Sequence, residues 1–120
     1  MKILIAEDDE LMLKTLEFRL KKDNHQVIIA RDGREALQKI KENLPDLVIS
    51  DIMMPYNSGL EIVSAVKEQF SIPIIILSAM GQEDVVLEAF KLGADDFLTK
   101  PFSPNELSVR IRRLALGIQK

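Results

Sequence analysis

Side chains that could do chemistry directly follow four apolar stretches of this 120-residue chain. Glu7-Asp8-Asp9-Glu10 follows the first stretch, and Asp51, Ser78 and Lys100 each end or follow a later one. Clustered carboxylates repel one another unless a cation neutralises them, and their hard oxygen atoms suit Mg²⁺. A lysine can hold one phosphoryl oxygen as a point charge, and a serine hydroxyl can hold another. With these groups in place, Asp51 is free to attack phosphorus and form an acyl phosphate.

The elements that must position these side chains are predicted from five short apolar runs. They are KILIA (2–6), QVIIA (26–30), DLVIS (46–50), IPIIIL (72–77) and DFLT (96–99). The first four are continuous rather than alternating, which is typical of strands buried on both faces of a parallel sheet. Apolar residues with helical spacing lie between the runs, so the predicted order is β-α repeated five times. This order predicts one α/β domain over residues 1–120, with helices on both faces of a parallel sheet.

Helix boundaries are marked by capping residues. Asp32, Ser58 and Ser103 each precede a glutamate by three positions, which predicts three helix starts, and helix ends are predicted at Asn43 and Gly93. In an open α/β sheet the functional crevice lies at the carboxyl ends of the strands. We therefore expect the polar side chains that follow the strands to meet on one edge of the sheet.

Composition excludes several classes of protein. The net charge of −3 argues against a dedicated nucleic-acid binder, and the absence of cysteine excludes disulfides, thiol nucleophiles and cysteine metal sites. The single histidine, His25, lies in a polar stretch and is interpreted as a solvated turn residue. No apolar run approaches the roughly 20 residues of a membrane span, and no signal peptide is visible, so a cytoplasmic protein is expected.

Several ordered motifs extend these inferences. They are ILIAEDD at the start, DLVISDIMMPYNSG around Asp51, PIIILSA on the fourth predicted strand, and LGADDFLTKPF near the end. With these motifs the whole chain resembles the receiver domain of two-component response regulators. The resemblance implies a flavodoxin-like (βα)5 fold with strand order 2-1-3-4-5. GADDFLTKPFSPNEL and three nearby arginines look most like receivers that precede winged-helix DNA-binding domains; the arginines are Arg110, Arg112 and Arg113.

The resemblance also assigns a metal site. The family's acidic pair directly follows the first strand, so the pair corresponds to Glu7 and Asp8, and Asp9 opens the helix. Mg²⁺ (or Mn²⁺) is then expected to be bound by Asp8, by the phosphoacceptor Asp51, by the backbone carbonyl of Met53, and by Glu7 through water.

Other positions match the family's phosphoryl-binding and switch residues. Ser78 corresponds to the switch hydroxyl, Phe97 to the switch aromatic residue, and Lys100 to the phosphate-binding lysine. The Lys100–Pro101 bond is expected to be cis, a form that is essentially restricted to proline. These correspondences predict that phosphorylation draws Ser78 toward the phosphoryl group and lets Phe97 rotate. That movement would change the face built from helix 4, strand 5 and helix 5.

The implied function is a phosphoacceptor switch, a signalling module rather than a metabolic enzyme, that assists its own phosphorylation and dephosphorylation. A sensor histidine kinase is the expected phosphodonor, and it is predicted to dock on Leu11, Met12, Thr15 and Phe102. Phosphorylation is predicted to drive homodimerisation through Lys91, Asp95, Asp96, Glu106 and Arg110. A C-terminal or separate output domain is a further expected partner; direct contact with nucleic acid or with a membrane is not expected.

Three alternative functions have different sequence requirements. A phosphatase with an aspartyl-phosphate intermediate would need a carboxylate two residues after Asp51, where Met53 stands. A flavin- or nucleotide-binding module would need a glycine- or hydroxyl-rich loop after the first strand, and the acidic run there would repel a phosphate. A receiver-like domain that binds partners without being phosphorylated is the third.

Overall fold

Five parallel strands alternate with five helices in a computed structural model that describes residues 1–56 and 58–118. The strands are β1 (Lys2–Ala6), β2 (Gln26–Ala30), β3 (Leu47–Asp51), β4 (Ile74–Ser78) and β5 (Asp96–Thr99). The helices are α1 (Glu10–Lys22), α2 (Gly33–Asn43), α3 (Gly59–Gln69), α4 (Glu83–Lys91) and α5 (Pro104–Ile118). In the part of the chain that is described, no helix is both long enough and apolar enough to span a bilayer.

The strands form one sheet in the order β2-β1-β3-β4-β5, which confirms the predicted flavodoxin-like topology. The bounds of two strands differ from the predicted apolar runs: β3 is Leu47–Asp51 rather than 46–50, and β4 is Ile74–Ser78 rather than 72–77. Proline has no backbone N–H to donate to a ladder, so Pro73 lies just outside β4, although its carbonyl still accepts from Val48. Asp51 therefore belongs to the last position of a central strand, with Leu77 of β4 as its register partner.

The sheet separates two apolar layers. Ile3 and Ile5 of β1 pack with residues of α1 and α5 on one face, while Leu4 and Ala6 pack with α2, α3 and α4 on the other. Successive side chains of a strand point to opposite faces, so a strand covered on both sides must be apolar throughout. The continuous apolar runs in the sequence have this physical cause.

The predicted helix boundaries are confirmed by their capping contacts. The side chain of Asp32 accepts from the Glu35 N–H at 2.8 Å, Ser58 forms a capping box with Glu61, and Ser103 caps α5. Gly93 follows α4 with a φ of +112°, in the left-handed region that favours glycine. The caps at Asp32, Ser58 and Ser103 place three helix starts at the carboxyl edge of the sheet, beside the polar residues that follow the strands.

Candidate functional site

The side chain of Lys100, which follows β5, contacts carboxylates at the ends of two other strands. Its Nζ donates to Glu7 Oε1 at 2.7 Å and to Asp51 Oδ2 at 3.1 Å. The chain separates Lys100 from these partners by 93 and 49 residues, so the sheet alone brings them together. The backbone N–H of Lys100 donates to the Ser78 carbonyl at 2.7 Å, and the Lys100–Pro101 bond is cis. β1, β3, β4 and the end of β5 thus contribute to one pocket.

Glu7 is fully buried at the base of this pocket, with 0% exposure. Its Oε1 accepts from Lys100, and its Oε2 accepts from the Asp8 backbone N–H at 3.1 Å. Burial, together with the neighbouring Asp51, raises the pKa of Glu7 to about 7, and Lys100 only partly opposes this shift. Burial alone would lower the pKa of Lys100, but its contacts with Glu7 and Asp51 outweigh burial and raise it.

Three carboxylates lie close enough to share one cation. Oxygen atoms of Glu7, Asp8 and Asp51 all lie within 4.8 Å of one another, with Glu7 buried, Asp51 half-buried and Asp8 exposed. Hard oxygen donors of this kind, open to solvent on one side, fit Mg²⁺, which keeps several of its water molecules. Asp9 lies outside the cluster, because its side chain caps α1 by accepting from the Leu11 and Met12 N–H groups. The N–H of Met53 faces Asp51 Oδ1 at 3.4 Å.

A cavity of about 230 Å³ adjoins the pocket beside α4, and Ser78, Phe90, Phe97 and Thr99 contribute to its lining. Ser78 is buried at the end of β4, and Phe97 is half-buried on β5. The Phe90 and Phe97 rings pack edge to face, with centroids 5.6 Å apart and an angle of 88° between the planes. The two residues predicted to act as the switch therefore line the same space.

Gly59 is a residue that sequence reasoning took only as part of a helix start. A Cβ atom at this position would lie 2.6 Å from Ile52 Cα and 2.7 Å from the Asp51 carbonyl oxygen. The Gly59 N–H also donates to the Ile52 carbonyl at 2.9 Å. The start of α3 thus lies directly against the backbone that carries Asp51. The only signal in the sequence is a glycine after the capping serine, which does not by itself indicate close backbone approach.

The predicted docking residues lie near one another between α1 and the start of α5. Leu11 is 77% exposed, and the hydroxyl of the exposed Thr15 donates to the Leu11 carbonyl. Met12 and Phe102 are half-buried and pack against the core that α1 and α5 share. Leu11, Met12, Thr15 and Phe102 all line a groove of about 210 Å³.

Three of the five predicted dimer residues, Asp95, Asp96 and Arg110, already have partners within the chain. Asp96 is 5% exposed, and its carboxylate accepts from Arg110 at 2.6 Å and from Arg113 at 2.5 Å. Asp95 instead pairs with Lys67 of α3 at 2.6 Å, on the opposite side of the sheet from α5. Lys91 and Glu106, the other two members of the set, are exposed. An Asp96–Arg110 pair across a two-fold axis would therefore replace an intrachain pair.

Comparison with known proteins identifies relatives over almost the whole chain. The family model described as the response regulator receiver domain matches residues 3–112. The chain is similar to the alkaline phosphatase synthesis transcriptional regulatory protein PhoP of Bacillus subtilis (strain 168), at 38% identity over 114 residues. This match covers 94% of the chain and 48% of PhoP, so the chain spans about half the length of that relative. PhoP is a transcriptional regulatory protein, and this match agrees with the predicted resemblance to receivers of the winged-helix class.

Solved structures of receiver domains also align with almost the whole chain. The receiver domain of the Francisella response regulator 1452 aligns at 37% identity with a TM-score of 0.87, covering 94% of each chain. The signal receiver domain of a signal transduction histidine kinase from Syntrophus aciditrophicus aligns at 34% identity with a TM-score of 0.91. That alignment covers 99% of this chain and 92% of the other.

Proposed function

The chain belongs to the response regulator receiver domain family, and on that premise we propose that Asp51 is the residue phosphorylated when it works as a phosphoacceptor switch. One observation carries the assignment. The Lys100 ammonium group lies between Glu7 and Asp51, and Asp8 belongs to the same carboxylate cluster. Asp51 ends a central strand and is half-buried, so its carboxylate is accessible at the mouth of the pocket.

The proposed phosphodonor is the phosphohistidine of a sensor histidine kinase. An oxygen of Asp51 attacks phosphorus, the phosphorus–nitrogen bond breaks, and its electron pair returns to the imidazole nitrogen. Lys100 and the Ser78 hydroxyl then hold oxygen atoms of the acyl phosphate. Attack by water on phosphorus later releases inorganic phosphate and regenerates Asp51. The domain thus assists its own phosphorylation and dephosphorylation without acting on a metabolite.

Receiver domains bind Mg²⁺ at an acidic pocket, and we assign that role here to Asp8, Asp51 and the Met53 carbonyl. Both carboxylate oxygens of Glu7 already accept from donors within the chain, which supports its action through water. When bound, the divalent ion supplies positive charge that offsets the negative charge of the phosphoryl oxygens. Mn²⁺ would suit the same oxygen donors.

The output of the switch is assigned to the face of α4, β5 and α5. Ser78 moves toward the phosphoryl group, and Phe97 turns into the space that both residues line. The changed face then meets a second copy of the domain or an output domain, on the same chain or separate from it. We further propose that residues 1–120 form one domain that works in the cytoplasm.

Two of the alternative functions, a phosphatase and a receiver that only binds partners, gain no support from the pocket. A phosphatase of the aspartyl-phosphate type needs an acid two residues after Asp51, and the side chain there is that of Met53. A receiver that only binds partners would have no need of the Lys100 contacts to both Glu7 and Asp51.

Labelling with a small phosphodonor tests the assignment. Acetyl phosphate and Mg²⁺ should add one hydroxylamine-labile phosphoryl group per chain, detected by mass spectrometry, and Asp51→Asn should abolish it. Asp8→Asn should reduce the labelling rate strongly, because it weakens the metal site. Asp9→Asn is the matched control, since asparagine also caps a helix, and it should label like the wild type. Unchanged labelling of Asp51→Asn would refute the assignment.

A further inference from the structure

Residues of the β2–α2 turn and of the start of α2 contact the segments next to the proposed metal ligands. On one side, Arg31 forms an ion pair with Glu10, the first residue of α1, two positions after Asp8. On the other side, the guanidinium carbon of Arg34 lies 4.4 Å from the centre of the Tyr56 ring. Next to Arg34, the Gly33 N–H donates to the Pro55 carbonyl at 3.2 Å.

Among the described residues of the loop between β3 and α3, Ile52 is fully buried and Met54 packs against the core, whereas Tyr56 lies at the surface. Tyr56 is 70% exposed, so burial does not fix its position. Its φ of +68° lies in the left-handed region, which is unfavourable for a bulky side chain and persists only where surrounding contacts hold it. The same loop carries Met53, whose backbone carbonyl is assigned to the metal, and it begins directly after Asp51. Contacts that hold Pro55 and Tyr56 therefore restrict the loop on which that carbonyl lies.

We propose that the β2–α2 turn and the first residues of α2 form a positioning element for the metal site, in which Arg34 of α2 holds the β3–α3 loop and Arg31 of the turn holds the start of α1. The inference rests on the proposed function, because the site being positioned is the Asp8–Asp51 pocket. Arg34 and Arg31 are positioning residues. Arg34 contacts Tyr56 and Arg31 contacts Glu10, so they act on the pocket only through the β3–α3 loop and the start of α1.

The direction in which Mg²⁺ affinity changes distinguishes a positioning role of the two arginines from a purely electrostatic one. Arg31 and Arg34 are cations near an acidic cluster, so removing either charge would strengthen Mg²⁺ binding if charge alone mattered. If Arg34 positions the loop, removing it must weaken binding instead. An exposed cation–π contact contributes about 0.5–1 kcal/mol, which corresponds to about a two- to five-fold change in affinity.

The experiment is an Mg²⁺ titration of the isotope-labelled chain, followed by the backbone amide resonances of Asp51 and Met53. Arg34→Gln is expected to raise the Mg²⁺ dissociation constant about two- to five-fold, and Arg34→Lys, which keeps a cation for the ring, to restore most of the affinity. Tyr56→Leu removes the ring without changing the charge and should weaken binding equally. Lys41→Gln removes the same charge from the last turn of α2 and is the matched control.

The double variant Arg34→Gln/Tyr56→Leu should bind Mg²⁺ no more weakly than either single variant, because both remove one contact. Equal dissociation constants for Arg34→Gln and Lys41→Gln, tighter binding by Arg34→Gln, or additive effects in the double variant would each overturn the proposal. If the wild type neither binds Mg²⁺ at Asp51 nor labels there, the proposed function fails instead.

Discussion

Glu7 has the least ordinary environment of the residues in the pocket, because it is fully buried and yet belongs to a cluster of three carboxylates. Its pKa is about 7 in the folded chain and about 4.5 in the unfolded chain. Between these values the folded state binds more protons than the unfolded state. The contribution of Glu7 to stability is therefore present below about pH 4.5 and is lost as the pH rises toward 7.

The free energy of unfolding of Glu7→Gln should consequently rise relative to that of the wild type as the pH rises. Without divalent ions, we expect the wild type to lose up to roughly 3 kcal/mol of unfolding free energy relative to Glu7→Gln between pH 4.5 and 8. Urea unfolding at several pH values measures this difference, with the exposed Glu42→Gln as the charge-matched control. A difference between Glu7→Gln and wild type that stays constant across this range would contradict the prediction.

At the scale of elements, the close approach of α3 to the end of β3 decides where the Asp51 backbone lies. The helix start has no room for a side chain at Gly59, and the contact is with backbone atoms, which cannot rotate away as a flexible side chain can. Because the interior is closely packed, a side chain added at Gly59 would have to displace the backbone of Asp51 and Ile52. The geometry of the phosphorylation site thus depends on an element boundary as well as on the reactive residues.

Gly59→Ala should therefore affect both folding and phosphorylation. Overpacking typically costs about 1–3 kcal/mol, and the displaced Asp51 should be labelled more slowly by acetyl phosphate. The matched control is Gly117→Ala on α5, where an added Cβ meets no atom within 4 Å. That control should gain up to about 1 kcal/mol from helix propensity and label normally. Wild-type stability and wild-type labelling of Gly59→Ala would show that the backbone contact is not restrictive.

At the scale of the whole molecule, the face of α4, β5 and α5 keeps its central charges paired within one chain. Asp96 is shared by Arg110 and Arg113, so a two-fold dimer that uses the Asp96–Arg110 pair must exchange an internal partner for an external one. Such an exchange costs little, because each broken pair is replaced by an equivalent pair on the other copy. Phosphorylation-driven dimerisation through this face remains our prediction.

Mixing two charge-reversed variants tests this dimer. Arg110→Asp alone and Asp96→Arg alone each place like charges opposite one another, so neither should dimerise with beryllofluoride, a phosphoryl mimic. Their mixture restores both intermolecular pairs and should sediment as a dimer, although the internal pair stays broken in each chain. Arg112→Asp is the charge-matched control: it keeps both Asp96 and Arg110, so it should dimerise with the mimic as the wild type does. A monomeric mixture of the two principal variants at high concentration would refute the predicted pairing.

The sequence by itself determined the order of strands and helices, three helix starts and the polar residues that lie at the carboxyl ends of the strands. These features depend on neighbouring residues: continuous apolar runs predict buried strands, and capping side chains bond to backbone groups two or three positions away. The strand order, and which of the acidic residues form the family's pair, were expected from the family resemblance. The bounds of β3 and β4 differed by one or two residues, because the ladder depends on partners in other strands as well as on apolar residues.

Only the tertiary structure decided the partners of the charged residues. Glu7 and Lys100 are 93 positions apart, and nothing local to either predicts that one ammonium group contacts both Glu7 and Asp51. Two neighbouring acids, Asp95 and Asp96, have partners on opposite faces of the sheet, on α3 and α5. Long-range contacts of this kind follow from how helices pack on the sheet, and packing is a property of the whole chain that no short stretch of residues encodes.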